Sequence, residues 1–120
     1  LGAANGVVLF YRNTGSPKQP VFTLVTERLD NVKAGRRSVP AFLDINGDGL
    51  LDLLVGQEAN PVLAYLNIGT RTEPGFSLHT GFALELSHMA SLRLADLDGD
   101  GRIDVLAGTV SGGLVFLKGQ

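Results

Sequence analysis

An acidic nine-residue loop that occurs twice is the feature that most constrains the fold of this chain. Residues 44–52 read Asp-Ile-Asn-Gly-Asp-Gly-Leu-Leu-Asp, and residues 96–104 read Asp-Leu-Asp-Gly-Asp-Gly-Arg-Ile-Asp, 52 positions further along. Each copy has side-chain oxygens at positions 1, 3, 5 and 9 and glycines at positions 4 and 6. Because glycine adopts positive φ without steric cost, the backbone can turn tightly enough for these oxygens to converge.

This arrangement of oxygens predicts a calcium site in each loop. Ca²⁺ prefers carboxylate, amide and carbonyl oxygens, and a backbone carbonyl at position 7 is usual. Two carboxylates roughly 4 Å apart repel by about 4 kcal/mol at the effective dielectric of a protein surface, so a repeated cluster requires a counter-ion. The alternative is an Asp-Gly hairpin turn, which needs only one acidic or amide side chain before the glycine. The predicted ligands are Asp44, Asn46, Asp48, the backbone carbonyl of Leu50 and Asp52 in the first loop, and Asp96, Asp98, Asp100, the backbone carbonyl of Arg102 and Asp104 in the second.

The residues that follow each loop argue against an EF-hand and indicate a strand. An EF-hand needs a bidentate acid at position 12 and a helix on each side, whereas position 12 is Val55 in the first copy and Ala107 in the second. Short apolar runs at 53–56 and 105–108 each end at a glycine, which is typical of a buried strand. We therefore expect each loop to join two strands.

Composition restricts the class of protein further. The chain has 120 residues with sixteen glycines, six Phe and two Tyr, which favours one turn-rich all-β domain. It has no cysteine, which excludes disulfides and thiolate metal sites. Basic residues are scattered apart from the pair at 36–37, so a nucleic-acid partner has little support. No apolar run approaches the roughly 18 residues that span a membrane, and we expect no membrane insertion.

Internal repeats extend over the whole chain. Residues 1–22 and 55–76 share a glycine, an apolar run, an Asn-x-Gly connection and a Pro-x-Phe sequence, at an offset of 54. Residues 91–118 restart the unit that begins near Val39. Self-similarity at a period near 52 residues is the signature of a repeat architecture. The chain is therefore predicted to contain one complete unit and two partial ones.

Each complete unit is predicted to contain four short strands. The first spans about 39–43, the second 52–56 and the third 62–67, and the fourth begins near Phe76. The second and third lack clean alternation, which indicates burial on both faces, whereas residues 21–26 alternate as an outer strand should. Four antiparallel strands whose faces are covered by neighbouring units form a β-propeller blade. The fold prediction is an all-β protein of about two and a quarter blades, namely a partial blade (strands 3 and 4) at 1–38, a complete blade at 39–90 and a partial blade (strands 1 to 3) at 91–120.

Four stretches carry a resemblance to a known family. They are Ser-Val-Pro-Ala-Phe-Leu-Asp at 38–44, Asp-Leu-Leu-Val-Gly at 52–56, Tyr-Leu-Asn-Ile-Gly-Thr at 65–70 and Pro-Gly-Phe at 74–76. Together they resemble the FG-GAP/VCBS repeat of bacterial secreted proteins, whose acidic loop also occurs in integrin α-subunit propellers and in some fungal lectins. The resemblance implies that each loop joins the first two strands of a blade and binds calcium. Residues 1–38 contain no such loop, so two calcium sites are expected.

The resemblance also implies a function. We expect a calcium-stabilised, secreted or cell-surface propeller module that binds or adheres to a protein or other ligand without catalysis. The alternatives are a carbohydrate-binding lectin propeller assembled from several copies or blades, and an accessory domain of a secreted enzyme. Because a propeller closes with four to eight blades, the partners should include other blades. A longer parent chain is the preferred source of these blades, and identical copies of this chain are the alternative.

The other candidate residues favour packing over chemistry. His79 and His88 have no cysteine or paired histidine near them in the sequence, and Ser87, His88 and Asp96 do not form a triad signature. We therefore expect no catalytic site. Four aromatic residues on the predicted central strands are expected to pack between blades, with an aromatic sugar platform as the less favoured alternative. These residues are Phe10, Tyr11, Tyr65 and Phe116.

Overall fold

The computed structural model of the chain describes residues 1–29, 32–59, 61–82, 84, 91–109 and 112–119. This part of the chain contains nine strands and no helix. It therefore also lacks any helix that is long and apolar enough to cross a membrane. The strands are β1 (Phe10–Asn13), β2 (Phe22–Thr26), β3 (Val39–Leu43), β4 (Asp52–Gly56), β5 (Leu63–Asn67), β6 (Phe76–Leu78), β7 (Ser91–Ala95), β8 (Asp104–Gly108) and β9 (Leu114–Leu117).

The strands form three antiparallel sheets in which each strand pairs with the next one along the chain. The sheets are β1-β2, β3-β4-β5-β6 and β7-β8-β9. The prediction of an all-β protein with a four-stranded antiparallel unit is confirmed. The predicted strands at 39–43 and 52–56 have those bounds, and the third begins at Leu63 instead of Val62. The proposed blade boundaries at 38/39 and 90/91 stay a prediction, and residues 85–90 before the second lie outside the described residues.

The middle sheet is packed on both faces, as the burial of β4 shows. Successive side chains of a strand point to opposite faces, and Leu53, Leu54 and Val55 are all fully buried. Leu54 packs in a cluster with Leu92 and Ala107 of the third sheet. Leu53 and Val55 pack in a second cluster that includes residues of the N-terminal part, among them Val8, Leu29 and Val32. The prediction that the central strands are buried on both faces is therefore confirmed.

Neighbouring sheets are joined by strand packing at one interface and by side-chain hydrogen bonds at the other. Strand β3 lies against β7 across the interface between the second and third sheets. At the other interface, the Tyr65 hydroxyl accepts a hydrogen bond from the N–H of Lys33 at 3.2 Å and donates one to its carbonyl at 3.1 Å. Successive antiparallel sheets that pack with their first strands adjacent are typical of propeller blades.

The two outer sheets are more exposed than the sequence predicts. Tyr65 is buried and Phe10 is half-buried, but Tyr11 is 38% exposed and Phe116 is 49% exposed, so the prediction that all four pack between blades is wrong for these two. Strand β2 was predicted to be exposed on one side, whereas four of its five residues are exposed. The physical reason is that the first and third sheets each have a neighbouring sheet on only one face.

Candidate metal centre

Each acidic loop connects the first two strands of a sheet and occupies the same place in both. The loop at 44–52 joins β3 to β4, where Leu43 pairs with Asp52. The loop at 96–104 joins β7 to β8, where Ala95 pairs with Asp104. In both cases position 1 directly follows a strand and position 9 is the first residue of the next. The prediction that each loop joins two strands is confirmed.

The glycines of both loops have the backbone conformation that their positions require. Position 4 has φ of 76° in Gly47 and 79° in Gly99, and position 6 has φ of 84° in Gly49 and 83° in Gly101. This left-handed region is unfavourable for residues that carry a Cβ. The two glycines turn the backbone so that its N–H groups point towards the carboxylates of the same loop.

The aspartate at position 1 organises the interior of each loop. In the first loop, Asp44 Oδ1 accepts hydrogen bonds from the N–H groups of Gly47 at 2.7 Å and Asp48 at 3.2 Å, and Oδ2 accepts one from Gly49 at 2.8 Å. In the second, Asp96 accepts from Gly99 at 2.7 Å and from Gly101 at 2.9 Å. Position 1 therefore holds the loop in its turned conformation as well as supplying oxygens.

The aspartate at position 9 joins the loop to the sheet, a role that sequence reasoning did not assign. Asp52 is fully buried, and it accepts hydrogen bonds from the N–H groups of Ile45 at 2.8 Å and Asn67 at 2.7 Å. Ile45 lies in the loop and Asn67 ends β5. A single carboxylate thus fixes the loop to the third strand of its own sheet.

The same two bonds recur at the second loop. Asp104 is fully buried and accepts hydrogen bonds from the N–H groups of Gly119 at 2.9 Å and Leu97 at 2.8 Å. These two backbone N–H groups, Gly119 first, hold the pKa of the Asp104 carboxyl below its usual value. The spacing of Asp104 and Gly119 equals that of Asp52 and Asn67, 15 residues in both cases. Because both donors are backbone N–H groups, no side-chain pattern in the sequence signals this role.

The side chains at positions 3 and 5 have different partners in the two loops. In the first, Asn46 Nδ2 donates a hydrogen bond to Asp48 Oδ2 at 2.9 Å. In the second, where both positions are aspartate, the Lys118 ammonium group lies 2.6 Å from Asp98 Oδ2 and 3.2 Å from Asp100 Oδ2. These bonds, the one to Asp98 first, raise the pKa of Lys118. Sequence reasoning missed Lys118, which directly follows β9.

The position 7 residues are anchored by their backbone N–H groups. Leu50 donates to Asp48 Oδ1 at 2.8 Å, and Arg102 donates to Asp100 Oδ1 at 2.9 Å. Their carbonyl groups, which the sequence analysis named as metal ligands, stay a prediction.

The second loop brings three carboxylates together. Oxygens of Asp96, Asp98 and Asp104 all lie within 4.8 Å of one another, and no other such group is found among the described residues. The first loop supplies an amide at position 3, Asn46, in place of the carboxylate. Hard carboxylate and amide oxygens are the donors that calcium binds. The donor set of both loops therefore fits this ion.

Of the two histidines named in the sequence analysis, only His79 lies among the described residues, and it is not part of the carboxylate group of the second loop. His79 directly follows β6, and its N–H donates a hydrogen bond to the carbonyl of Ala64 at 2.8 Å. His88 and Ser87 lie outside the described residues.

Comparison with known proteins identifies the repeat. A family model described as FG-GAP-like repeat matches residues 44–107, from the first residue of the first loop into β8, the strand that follows the second loop. No curated protein and no solved structure matches the chain. The matched segment covers more than half of the 120 residues. The chain therefore belongs to the FG-GAP-like repeat family and has the β-propeller-like architecture of its repeats.

Proposed function

We propose that the chain is a calcium-stabilised β-propeller module of a secreted or cell-surface protein, which binds other molecules and does not catalyse a reaction. The observation that carries the proposal is the recurrence of one acidic loop at the same strand junction of two successive sheets. Hydrogen bonds within the loop account for part of this recurrence, and the convergence of three carboxylates within 4.8 Å in the second loop is the further observation that supports a bound cation. The absence of a catalytic signature in the sequence supports a binding role.

Calcium would be held by the oxygens that the loops direct inward. These would be Asp44, Asn46, Asp48 and Asp52 in the first loop and Asp96, Asp98, Asp100 and Asp104 in the second, with the carbonyls of Leu50 and Arg102 added. The bound ion would neutralise the carboxylates that otherwise repel one another. Extracellular calcium modules have Kd values of about 10⁻⁴–10⁻³ M, and the proposed location outside the cell is consistent with sites of that strength.

Thermal unfolding with and without calcium tests this proposal. An ion that binds only the folded chain stabilises it by about 2.7 kcal/mol at a hundredfold excess over Kd, which corresponds to a rise in Tm of about 10 °C for a chain of this size. We expect EDTA to lower the Tm by about 10 °C and added calcium to restore it. Magnesium should restore less, because it demands tighter octahedral geometry. An identical Tm in EDTA and in calcium would contradict the proposal.

The partners that we propose first are other propeller blades. Large apolar side chains are exposed on the first and third sheets, including Phe22 at 67% and Leu114 at 72%. Exposed apolar surface of this kind favours association. Blades of a longer parent chain are the preferred source and identical copies the second. Sedimentation distinguishes them, since only self-assembly gives this chain a particle larger than one copy.

A glycan ligand is the second candidate function, favoured by a cleft between the first and second sheets. The cleft has a volume of about 960 Å³, and its lining includes Phe10, Phe42, Phe76, Arg12 and Arg71. The Phe42 and Phe76 rings lie with centroids 6.3 Å apart. Concave sites with aromatic walls and a few polar groups are the usual form of small-ligand sites.

Glycan-array binding by the wild-type chain and by Phe42→Ala tests the glycan candidate. The Phe42 side chain lines the cleft and is 49% exposed, so its removal should abolish glycan binding with little loss of stability. Leu51→Ala is a matched control, because Leu51 lines the same cleft and is 60% exposed but offers no aromatic face. A wild-type chain that binds no glycan would eliminate this candidate without affecting the calcium proposal.

A further inference from the structure

Lys118 is the only basic side chain, among the described residues, that pairs with a carboxylate of either acidic loop. We propose that Lys118 is a built-in counter-ion of the second loop, which competes with calcium for the carboxylates of Asp98 and Asp100 and so weakens calcium binding there relative to a loop without it. This inference rests on the proposed function, since it assumes that the loops bind calcium. It adds a residue that sets the affinity of one site.

The position of the ammonium group carries the inference. Nζ of Lys118 lies 2.6 Å from Asp98 Oδ2 and 3.2 Å from Asp100 Oδ2. Asp98 is also one of the three residues whose carboxylate oxygens converge within 4.8 Å. The ammonium therefore takes an oxygen from the residue at position 3 and another from the residue at position 5. A calcium ion that used those oxygens would have to displace it.

The backbone beside Lys118 keeps this cation close to the loop. The N–H of Gly119, the next residue, donates to Asp104 Oδ1 of the same loop at 2.9 Å. The base of the Lys118 side chain is thus held one residue from a buried anchor, while its side chain is 55% exposed. Tethering raises the local concentration of a binding group without any new contact. Exposed ion pairs are weak, so calcium can still displace the ammonium.

The first loop offers a natural comparison because it has the same anchor without the cation. Asn67 donates its N–H to Asp52 as Gly119 does to Asp104, so the counterpart of Lys118 is Leu66, an uncharged residue. Among the described residues, Arg71 is the basic residue whose side chain contacts the first loop, and its Nη2 donates to the backbone carbonyl of Gly49, not to a carboxylate, at 3.2 Å. The second loop thus has one more carboxylate than the first and one competing cation in addition.

Calcium titration followed by NMR measures the two loops separately in the full chain. The amide signals of Gly49 and Gly101, at position 6 of each loop, report the two sites. We expect Lys118→Met to lower the calcium concentration at the midpoint for Gly101 by about tenfold, because a competing unit charge within a few ångströms is removed. The midpoint for Gly49 should not change.

Two variants control for charge and for fold. Lys118→Arg keeps a cation on the loop and should leave the Gly101 midpoint near its wild-type value. Lys18→Met removes an exposed lysine from the connection between β1 and β2 and should change neither midpoint. An unshifted Gly101 midpoint in Lys118→Met, with both loops binding calcium, overturns this inference alone. If neither signal responds to calcium in the wild type or in Lys118→Met, the proposed function is overturned and this inference with it.

Discussion

Replacing Asp52 by alanine is expected to lower the free energy of unfolding by about 3–6 kcal/mol in EDTA, and by more in calcium, where the proposed ligand is lost as well. The Asp52 carboxylate is fully buried and accepts hydrogen bonds from the N–H groups of Ile45 and Asn67. Each hydrogen bond to a charged group contributes about 1.5–3 kcal/mol, and alanine leaves both donors without an acceptor. Urea denaturation in calcium and in EDTA measures the loss.

The controls separate this role from calcium binding. Asp52→Asn should recover little, because an amide has one acceptor oxygen and would place its NH₂ group against an N–H donor. Asp48→Ala removes an exposed carboxylate from the same loop, so in EDTA it should cost less than about 1 kcal/mol. A wild-type free energy of unfolding for Asp52→Ala in EDTA would show that the buried carboxylate does not hold the loop to β5.

Replacing Leu54 by alanine is expected to lower the free energy of unfolding by a similar amount, about 3–5 kcal/mol. Leu54 is fully buried between the second and third sheets, in a cluster with Val62, Ala64, Leu92 and Ala107. Leu→Ala substitutions in a packed core cost about 2–5 kcal/mol, the larger values where the site cannot collapse. Strands on both sides restrict collapse here. Denaturant unfolding monitored by circular dichroism gives the value.

Leu106 is the matched control for this substitution. It occupies the place in β8 that Leu54 occupies in β4, 52 residues earlier, but it is only half-buried in the third sheet. In the 120-residue chain, Leu106→Ala should therefore cost clearly less than Leu54→Ala. Equal losses at the two positions would contradict a middle sheet that is packed on both faces.

The fold of the complete unit could be predicted because several independent signals agree there. The acidic loop fixes the hairpin between residues 39–43 and 52–56, and the apolar run after it indicates a strand without a solvent-exposed face. The structure confirms both the bounds of the hairpin and the burial of the strand after the loop. The offset between the two loops further indicates that neighbouring sheets repeat the same arrangement.

The contacts that cross between elements could not be predicted in the same way. The environment of Tyr11 and Phe116 depends on whether another sheet covers them, which no local pattern reveals. Lys118 contacts the second loop from 20 residues away, and nothing in its own neighbourhood marks it as a partner of Asp98. The buried bonds of Asp52 likewise depend on where β5 ends. Such features become visible only when strands are placed beside one another.

The number of calcium ions bound per chain tests the central claim most directly. Isothermal titration calorimetry of the 120-residue chain should give two sites. Asp96→Ala should leave one, because it removes the proposed ligand at position 1 of the second loop together with the acceptor for Gly99 and Gly101. Circular dichroism of this variant establishes that the rest of the fold is intact. A wild-type chain that is folded but binds no calcium at millimolar concentrations would contradict the account.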